Sequence, residues 1–228
     1  MVYEDDLPFT GCTVDDLSCS EADVYKVLSS IDVDKENGPY AISPRILKEC
    51  AAELAPSITQ LFNFSLDHSK LTSVWKSANV VPIHKSGERT LAENYRPVSI
   101  TSILVKSLER IIHKHIMKFL THHRLLSESQ HGFREARSCF TQLLQLLHSR
   151  YSSLEKGDAV DVVFLDFAKA FDKVSHHHLL YKLQRYGIRG HLFSWFHDFS
   201  QTVHKESLLE AIHQNGWRCP LVFLKGVY

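Results

Sequence analysis

Ala159-Val160-Asp161-Val162-Val163-Phe164-Leu165-Asp166-Phe167 is the stretch on which the reading of this chain turns. It is short, β-branched and apolar, and it follows a Gly157-Asp158 turn, so it predicts a strand over Ala159–Phe167. The strand runs straight into an acid. A buried apolar strand gains nothing from a carboxylate at its end, and an unpaired buried charge is costly, so Asp166 calls for a partner or a metal. Phosphoryl-transfer enzymes use such an acid to hold divalent ions between the attacking and leaving oxygens. Taken alone, Asp166 reads rather as an exposed aspartate capping a turn, since such strand ends are common.

Upstream of the strand the pattern is helical. One helix is expected over Cys139 to Leu154. A long one is expected over Ile103 to His122, with Leu104, Leu108, Ile111, Ile112 and Ile116 inward. Before it, Val80, Val81 and Ile83 suggest a short strand broken by Pro82, followed by a loop from Lys85 to Asn94. Pro56 is expected to open a helix with Ile58, Leu61, Phe62, Ser65 and Leu66 inward. Ser43 and Pro44 have the N-cap and first-position signature of another, carrying Ile46, Leu47, Cys50, Ala51 and Leu54 on one face. Ser20 caps a helix with Val24, Val27, Leu28 and Ile31, ended by Asn37-Gly38-Pro39. Residues 1–19 lack periodicity and are expected to be a loose lead-in. Downstream, Ser175 caps a helix that stops at Gly187, and residues 191–200 form one more. From residue 202 to Tyr228 the pattern is weak.

Composition bounds the partners. With 228 residues, 44% hydrophobic and 23% charged, a packed core is expected and disorder is not. The formal net charge is zero. It is unevenly spread: residues 1–36 hold ten Asp/Glu against two Lys, and the remainder holds sixteen acids against twenty-four Lys/Arg. A basic bulk behind an acidic head makes phosphate partners plausible through counterion release. Five cysteines, an odd number with no closely spaced pair, fit a reduced intracellular compartment, nuclear or cytoplasmic. No stretch approaches about 18 uninterrupted apolar residues, so no membrane span is expected. The acidic N-terminus is unlike a signal peptide.

Four motifs then fall in one order. Asn94-Tyr95-Arg96-Pro97-Val98-Ser99-Ile100 comes first; Gln130-His131-Gly132-Phe133-Arg134 follows, with Arg137-Ser138-Cys139. Leu165-Asp166-Phe167-Ala168-Lys169-Ala170-Phe171-Asp172-Lys173-Val174 is third and Tyr186-Gly187-Ile188-Arg189-Gly190 is fourth. Together, over about residues 20–200, they resemble the reverse transcriptases of non-LTR (LINE-type, jockey-like) retrotransposons. The first resembles that family's fingers motif, the second its template-side motif, the third its first catalytic carboxylate motif and the fourth the segment that follows.

The resemblance implies an α+β fold: helical fingers plus the N-terminal part of a polymerase palm, incomplete. It divides the chain into a loose acidic segment (1–19), fingers and a template-side helical region (20–157), the start of the palm (158–200) and an aberrant tail without family pattern (201–228). It implies that Asp166 is a ligand of two catalytic magnesium ions, joined by the backbone carbonyl of Phe167. Phe171 would be a steric gate against the ribose 2′-OH, favouring deoxynucleoside triphosphates. Lys85 and Arg96 would grip the incoming triphosphate, a point charge beside a forked guanidinium. Arg134 and Arg137 would meet phosphates of an RNA template, with a DNA primer as the other strand. The residues alone allow plainer readings: a core aromatic for Phe171, a solvated charged loop around Lys85, and ordinary surface arginines at a helix entry.

Two tempting motifs carry less. His176-His177-His178 cannot face one ion, because neighbouring helical residues point about 100° apart. Tyr3-Glu4-Asp5-Asp6 echoes the family's Tyr-x-Asp-Asp box but precedes the first carboxylate motif, where a solvated acidic terminus is the expectation. The real box is missing: outside the local turn, the acids after Asp166 are Asp198, Glu206 and Glu210, none in an Asp-Asp pair behind an apolar strand. The family's Gly-Gln loop is missing too. Gly38-Pro39-Tyr40-Ala41-Ile42 also departs from the usual Gly-Pro-Asp-Gly-Ile. The expectation is a fragment of an RNA-directed DNA polymerase domain, interrupted near residue 201 and inactive alone. The alternatives are a non-catalytic nucleic-acid-binding remnant and an inert pseudogene product.

Overall fold

Why each helix starts where it does is visible in the computed structural model, which describes residues 11–167, 170 and 173–201. These fall into two compact units: a larger one holding the described residues up to Lys118 and from Val174 onward, and a smaller one, Phe119–Lys173. Both helix and strand are present, consistent with an α+β fold.

In the larger unit, α1 (Glu21–Ser29) is capped by Ser20, whose hydroxyl accepts from the Asp23 amide. It buries Val24 and Leu28 completely. The chain then turns at Gly38, where a side chain could not fit: a Cβ there would lie 2.8 Å from the Thr101 carbonyl oxygen. The turn closes with the Ala41 amide donating to the Gly38 carbonyl at 3.0 Å, which puts Ala41 at φ +52°.

Next come α2 (Pro44–Glu49) and α3 (Ala51–Asp67), separated by a break at Cys50. The expected single face does not survive that break: Leu47 and Ala51 are buried, while Ile46 and Cys50 are exposed. Pro56 does not open α3 but lies inside it. Proline removes the N–H that would reach the Ala52 carbonyl, and that carbonyl belongs to an exposed residue that water can serve. Ile58, Phe62, Ser65 and Leu66 are buried as expected, but Leu61 is exposed.

Strands β1 (Ala78–His84) and β2 (Tyr95–Thr101) form an antiparallel hairpin. Pro82 does not break β1. It sits opposite Pro97, and in a two-stranded sheet both strands are edges, where a missing donor costs little.

Helix α4 (Ile103–His122) has the expected bounds and the expected inward side, with Val105, Leu108 and Ile112 fully buried. Late in the chain, α6 (His176–Arg185) and α7 (Gly190–Gln201) return to this unit. The Trp195 side chain of α7 is completely buried, and its indole N–H donates to Ser65 Oγ of α3.

Residues 13–19 are not loose. Val14 pairs with Ile188, its amide donating to the Gly187 carbonyl and its carbonyl accepting from Arg189, while Leu17 and Cys19 are buried. Asn63 holds Cys19 by both backbone groups, a tertiary contact that no local periodicity announces. Residues 1–10, including Tyr3-Glu4-Asp5-Asp6, and residues 202–228 lie outside the described residues.

The smaller unit contains the end of α4, a loop, α5 (Cys139–Glu155) and the segment leading to Asp166. Ser138 and Thr141 build a reciprocal capping box at the start of α5. None of the described residues of α5 is buried. The strand expected over Ala159–Phe167 is not formed: the segment is irregular, with Val163, Phe164, Leu165 and Phe167 all more than three-quarters exposed. A strand needs a neighbour for its backbone groups, and the described residues form one sheet, β1 with β2.

The larger unit yields two expected outcomes. An L-residue in the left-handed region costs about 1–2 kcal/mol, so Ala41→Gly should stabilise the chain by about 1 kcal/mol after the extra unfolded-state freedom of glycine is subtracted. An unchanged or lowered denaturation midpoint would show that the turn carries no strain. On α4, Glu109 Oε1 is shielded from solvent without a hydrogen-bond partner. Burial pushes this carboxyl up to about 8 from 4.5, against a smaller opposing pull from Lys106. The folded state therefore holds the proton more tightly, so stability is full below pH 4.5 and is lost as pH rises through about 8. Glu109→Gln should remove that loss, gaining on the order of 1–3 kcal/mol over the parent at pH 9 relative to pH 5. Denaturant titrations giving the same difference at both pH values would count against it.

Candidate nucleic-acid interface

The β1–β2 hairpin presents the first pair of expected phosphate-binding cations. Ile83 pairs with Arg96 across the ladder, and the Lys85 amide extends it by donating to the Asn94 carbonyl at 2.8 Å. Lys85 and Arg96 therefore sit at one end of one hairpin, and both are exposed. The loop between them is shaped by its own polar groups. Asn94 Nδ2 donates to the Glu88 carbonyl and Tyr95 Oη to the Arg89 carbonyl, each at 2.8 Å. His84 Nε2 donates to the Gly87 carbonyl at 3.0 Å. Gly87 has φ +84°, and a Cβ there would meet the Asn94 amide at 2.7 Å. A glycine is required at that point, which explains its place in the charged loop.

The second pair of cations lies in the smaller unit, on the loop that leads into α5. Arg134 Nη1 donates to the Ser127 carbonyl at 2.8 Å, and Arg137 Nη1 to the Glu128 carbonyl at 2.9 Å. Both guanidiniums also face the Glu128 carboxylate, Arg137 in a direct ion pair and Arg134 at 3.9 Å. Their side chains are only 12% and 25% exposed, so much of each arginine's donor capacity folds the loop itself. Phe133 and Ala136 both adopt left-handed backbone conformations, at φ +59° and +58°. The loop thus stores strain that these bonds must hold.

His131 is the residue that the sequence reading missed. It is 6% exposed, with Nδ1 2.9 Å from Thr141 Oγ1, Nε2 donating to Gln145 Oε1 at 2.7 Å, and Nε2 3.3 Å from Arg137 Nη1. A histidine between Gln130 and Gly132 gives no sign of burial. The available signal was the Ser138-to-Thr141 spacing, which marks where a helix start needs polar partners.

Asp166 and Phe167 are exposed and lie in the smaller unit, whereas Lys85 and Arg96 belong to the larger one. Phe171 lies outside the described residues. Asp198 is engaged in packing: it accepts from the Leu71 amide at 3.0 Å and pairs with Lys76 at 2.9 Å. Burial alone would raise its carboxyl, but those two partners outweigh it and hold it below the usual range. His176 turns Nδ1 to the Ser200 carbonyl. Among the described residues no group of three or more His, Cys, Asp or Glu could hold a metal ion. A pair of magnesium ions needs carboxylates from separate strands, so one exposed aspartate with a neighbouring carbonyl does not fit such a centre. No helix among the described residues is long and apolar enough to cross a membrane.

The family described as reverse transcriptase (RNA-dependent DNA polymerase) matches residues 83–219, more than half of the chain and past residue 201, where the sequence reading saw the resemblance stop. The chain is 27% identical over 184 residues to the RNA-directed DNA polymerase from mobile element jockey of Drosophila melanogaster, covering 80% of this chain and 19% of that protein. It is 27% identical over 164 residues to the probable RNA-directed DNA polymerase from transposon BS of the same fly, covering 72% and 18%. A retrovirus-related Pol polyprotein from type-1 retrotransposable element R2 of Popillia japonica is 35% identical over 116 residues, covering 50% and 16%. The chain thus spans about one fifth of the length of these curated relatives.

The hairpin loop offers a direct check. Asn94→Ala removes the side-chain bond that closes residues 88–94, so trypsin should cut at Arg89 several-fold faster while the core melts near the parent temperature. Equal cutting rates would show that the loop does not depend on that amide.

Proposed function

The chain belongs to the reverse transcriptase (RNA-dependent DNA polymerase) family, and from that premise we propose that it is the fingers and template-side portion of a non-LTR retrotransposon polymerase domain. In this reading it grips single-stranded RNA and an incoming deoxynucleoside triphosphate but does not polymerise alone. The observation that carries the proposal is the pairing of cations on two ordered supports, Lys85 with Arg96 on a hairpin and Arg134 with Arg137 on the α5 entry loop. Lys85 and Arg96 make the triphosphate grip, Phe171 the gate against ribose, and Arg134 and Arg137 the phosphate contacts of the template strand. Asp166 and the Phe167 carbonyl keep the position of a metal-binding edge that needs further carboxylates. No Asp-Asp pair follows Asp166 in the sequence.

A cationic grip without chemistry has two measurable consequences. RNA affinity of the 228-residue chain should fall linearly on a log–log salt plot, with a slope that becomes shallower by about one for each phosphate-binding cation replaced. Exchanging Lys85 and Arg96 for alanine should weaken triphosphate binding, while exchanging Arg134 and Arg137 should weaken RNA binding. Salt-independent binding, or none, would remove the reading and leave the inert remnant. Primer extension with magnesium and all four deoxynucleotides should yield no product. Extension abolished by Asp166→Asn would sink the claim of inactivity.

A further inference from the structure

Among the described residues, one buried imidazole ties the template-side loop to α5. His131 is among the few buried polar residues of the described chain. Its two ring nitrogens engage Thr141 and Gln145, a turn apart on α5. Its Nε2 also lies 3.3 Å from Arg137 Nη1. Arg137 in turn holds Glu128 by both its carbonyl and its carboxylate. The loop between these anchors contains two left-handed non-glycine residues, Phe133 and Ala136, so it would not keep this shape unaided.

We propose that His131 is a positioning residue for template binding: it fixes the Arg137 guanidinium so that its remaining donors face a backbone phosphate of single-stranded RNA. The inference rests on the template-side reading above and adds the residue through which Arg137 is aimed. A guanidinium carries five N–H donors. Two of Arg137's are spent on the Glu128 carbonyl and carboxylate, and its Nη1 packs 3.3 Å from His131 Nε2, whose own hydrogen goes to Gln145, which leaves three for a ligand. A guanidinium held on several sides loses little freedom when it meets a phosphate, so its remaining donors count for more. Thr141 gives the same network a second anchor, because it also belongs to the capping box that starts α5. The orientation of the helix start and the direction of Arg137 are therefore set by one ring.

The test is a double-mutant cycle on the 228-residue chain with a fluorescein-labelled single-stranded RNA, read by anisotropy across a salt series. Arg137→Ala should weaken binding about tenfold and make the salt slope shallower by about one. His131→Ala should reproduce most of that loss, and the double variant should bind no more weakly than Arg137→Ala alone. His131→Gln, whose amide can still reach Gln145 and Arg137, should recover most of the affinity. Additive losses, a parental salt slope in His131→Ala, or no recovery with glutamine would overturn the proposal. General destabilisation would neither couple selectively to Arg137 nor be rescued in this pattern. A second readout needs no RNA: the guanidinium 15N–1H resonances of Arg137 should be resolved in the parent and in His131→Gln and averaged in His131→Ala. Resonances unchanged in His131→Ala would overturn the positioning role even if the chain binds no RNA. Absence of RNA binding with the expected resonance loss would overturn the template reading alone.

Discussion

The larger unit depends on burying one indole. Trp195 is fully enclosed, its ring stacked on Phe199 at 5.4 Å and set edge-on to Phe196 at 5.6 Å. Its N–H would be an orphan in that setting. Ser65 accepts it at 3.1 Å and passes its own hydrogen to the Lys70 carbonyl at 2.7 Å. Side chains as large as Trp195 and Phe62 each contribute roughly 1.5–3 kcal/mol by leaving water, more than any surface ion pair here can offer. This contact joins residues 130 positions apart in sequence. It explains why α6 and α7 return to the unit built by α1 to α4, and why the turn at Gly190 must be tight. A Cβ at Gly190 would lie 2.7 Å from the Asp15 carbonyl oxygen, so the entry to α7 is also the seat of the N-terminal segment. The same carbonyl accepts from the Leu192 amide at 3.1 Å.

What the sequence made legible follows from the range of the interactions involved. Helix α4 and the caps at Ser20 and Ser175 are decided by residues within a turn of one another, and the expectations there held. Pro56 and Pro82 misled because a proline's cost depends on whether its missing partner is exposed or on an edge, which is a tertiary matter. Residues 13–19 misled for a related reason. Their order comes from Asn63 and from the turn before α7, and neither is near in sequence. At the candidate site, the four cations were legible as residue types, but the degree to which Arg134 and Arg137 are spent on carbonyls of Ser127 and Glu128 was not. His131 itself carried no sign of burial, and the one hint lay downstream in the Ser138-to-Thr141 spacing.

Ala159–Phe167 shows where a local pattern is insufficient in principle. Its valines and aromatics have the composition of an inner strand, yet strand preference is mostly a statement about neighbours. A helix satisfies its own backbone, so α5 can exist with Phe140, Leu143, Leu147 and Tyr151 exposed along it. A strand cannot exist singly, because its N–H and C=O groups point sideways to another chain segment. The described residues supply β1 and β2 to each other and nothing to residues 159–167.

In the proposed reading, the same distinction separates binding from chemistry. Each cation pair is ordered by bonds that close within a few residues: Asn94 to Glu88 and Tyr95 to Arg89 on the hairpin, Arg134 to Ser127 and Arg137 to Glu128 on the α5 loop. Such supports are local, so a grip on phosphates can be assembled from short segments. Two-metal catalysis has the opposite requirement, since its carboxylates must converge from separate strands held at fixed spacing by a sheet. Asp166 sits on a segment that has no ladder among the described residues. In the proposed reading, holding a nucleic acid would rest on short-range contacts of this kind, whereas extending one would call for long-range strand pairing, which the described residues show for β1 with β2 alone.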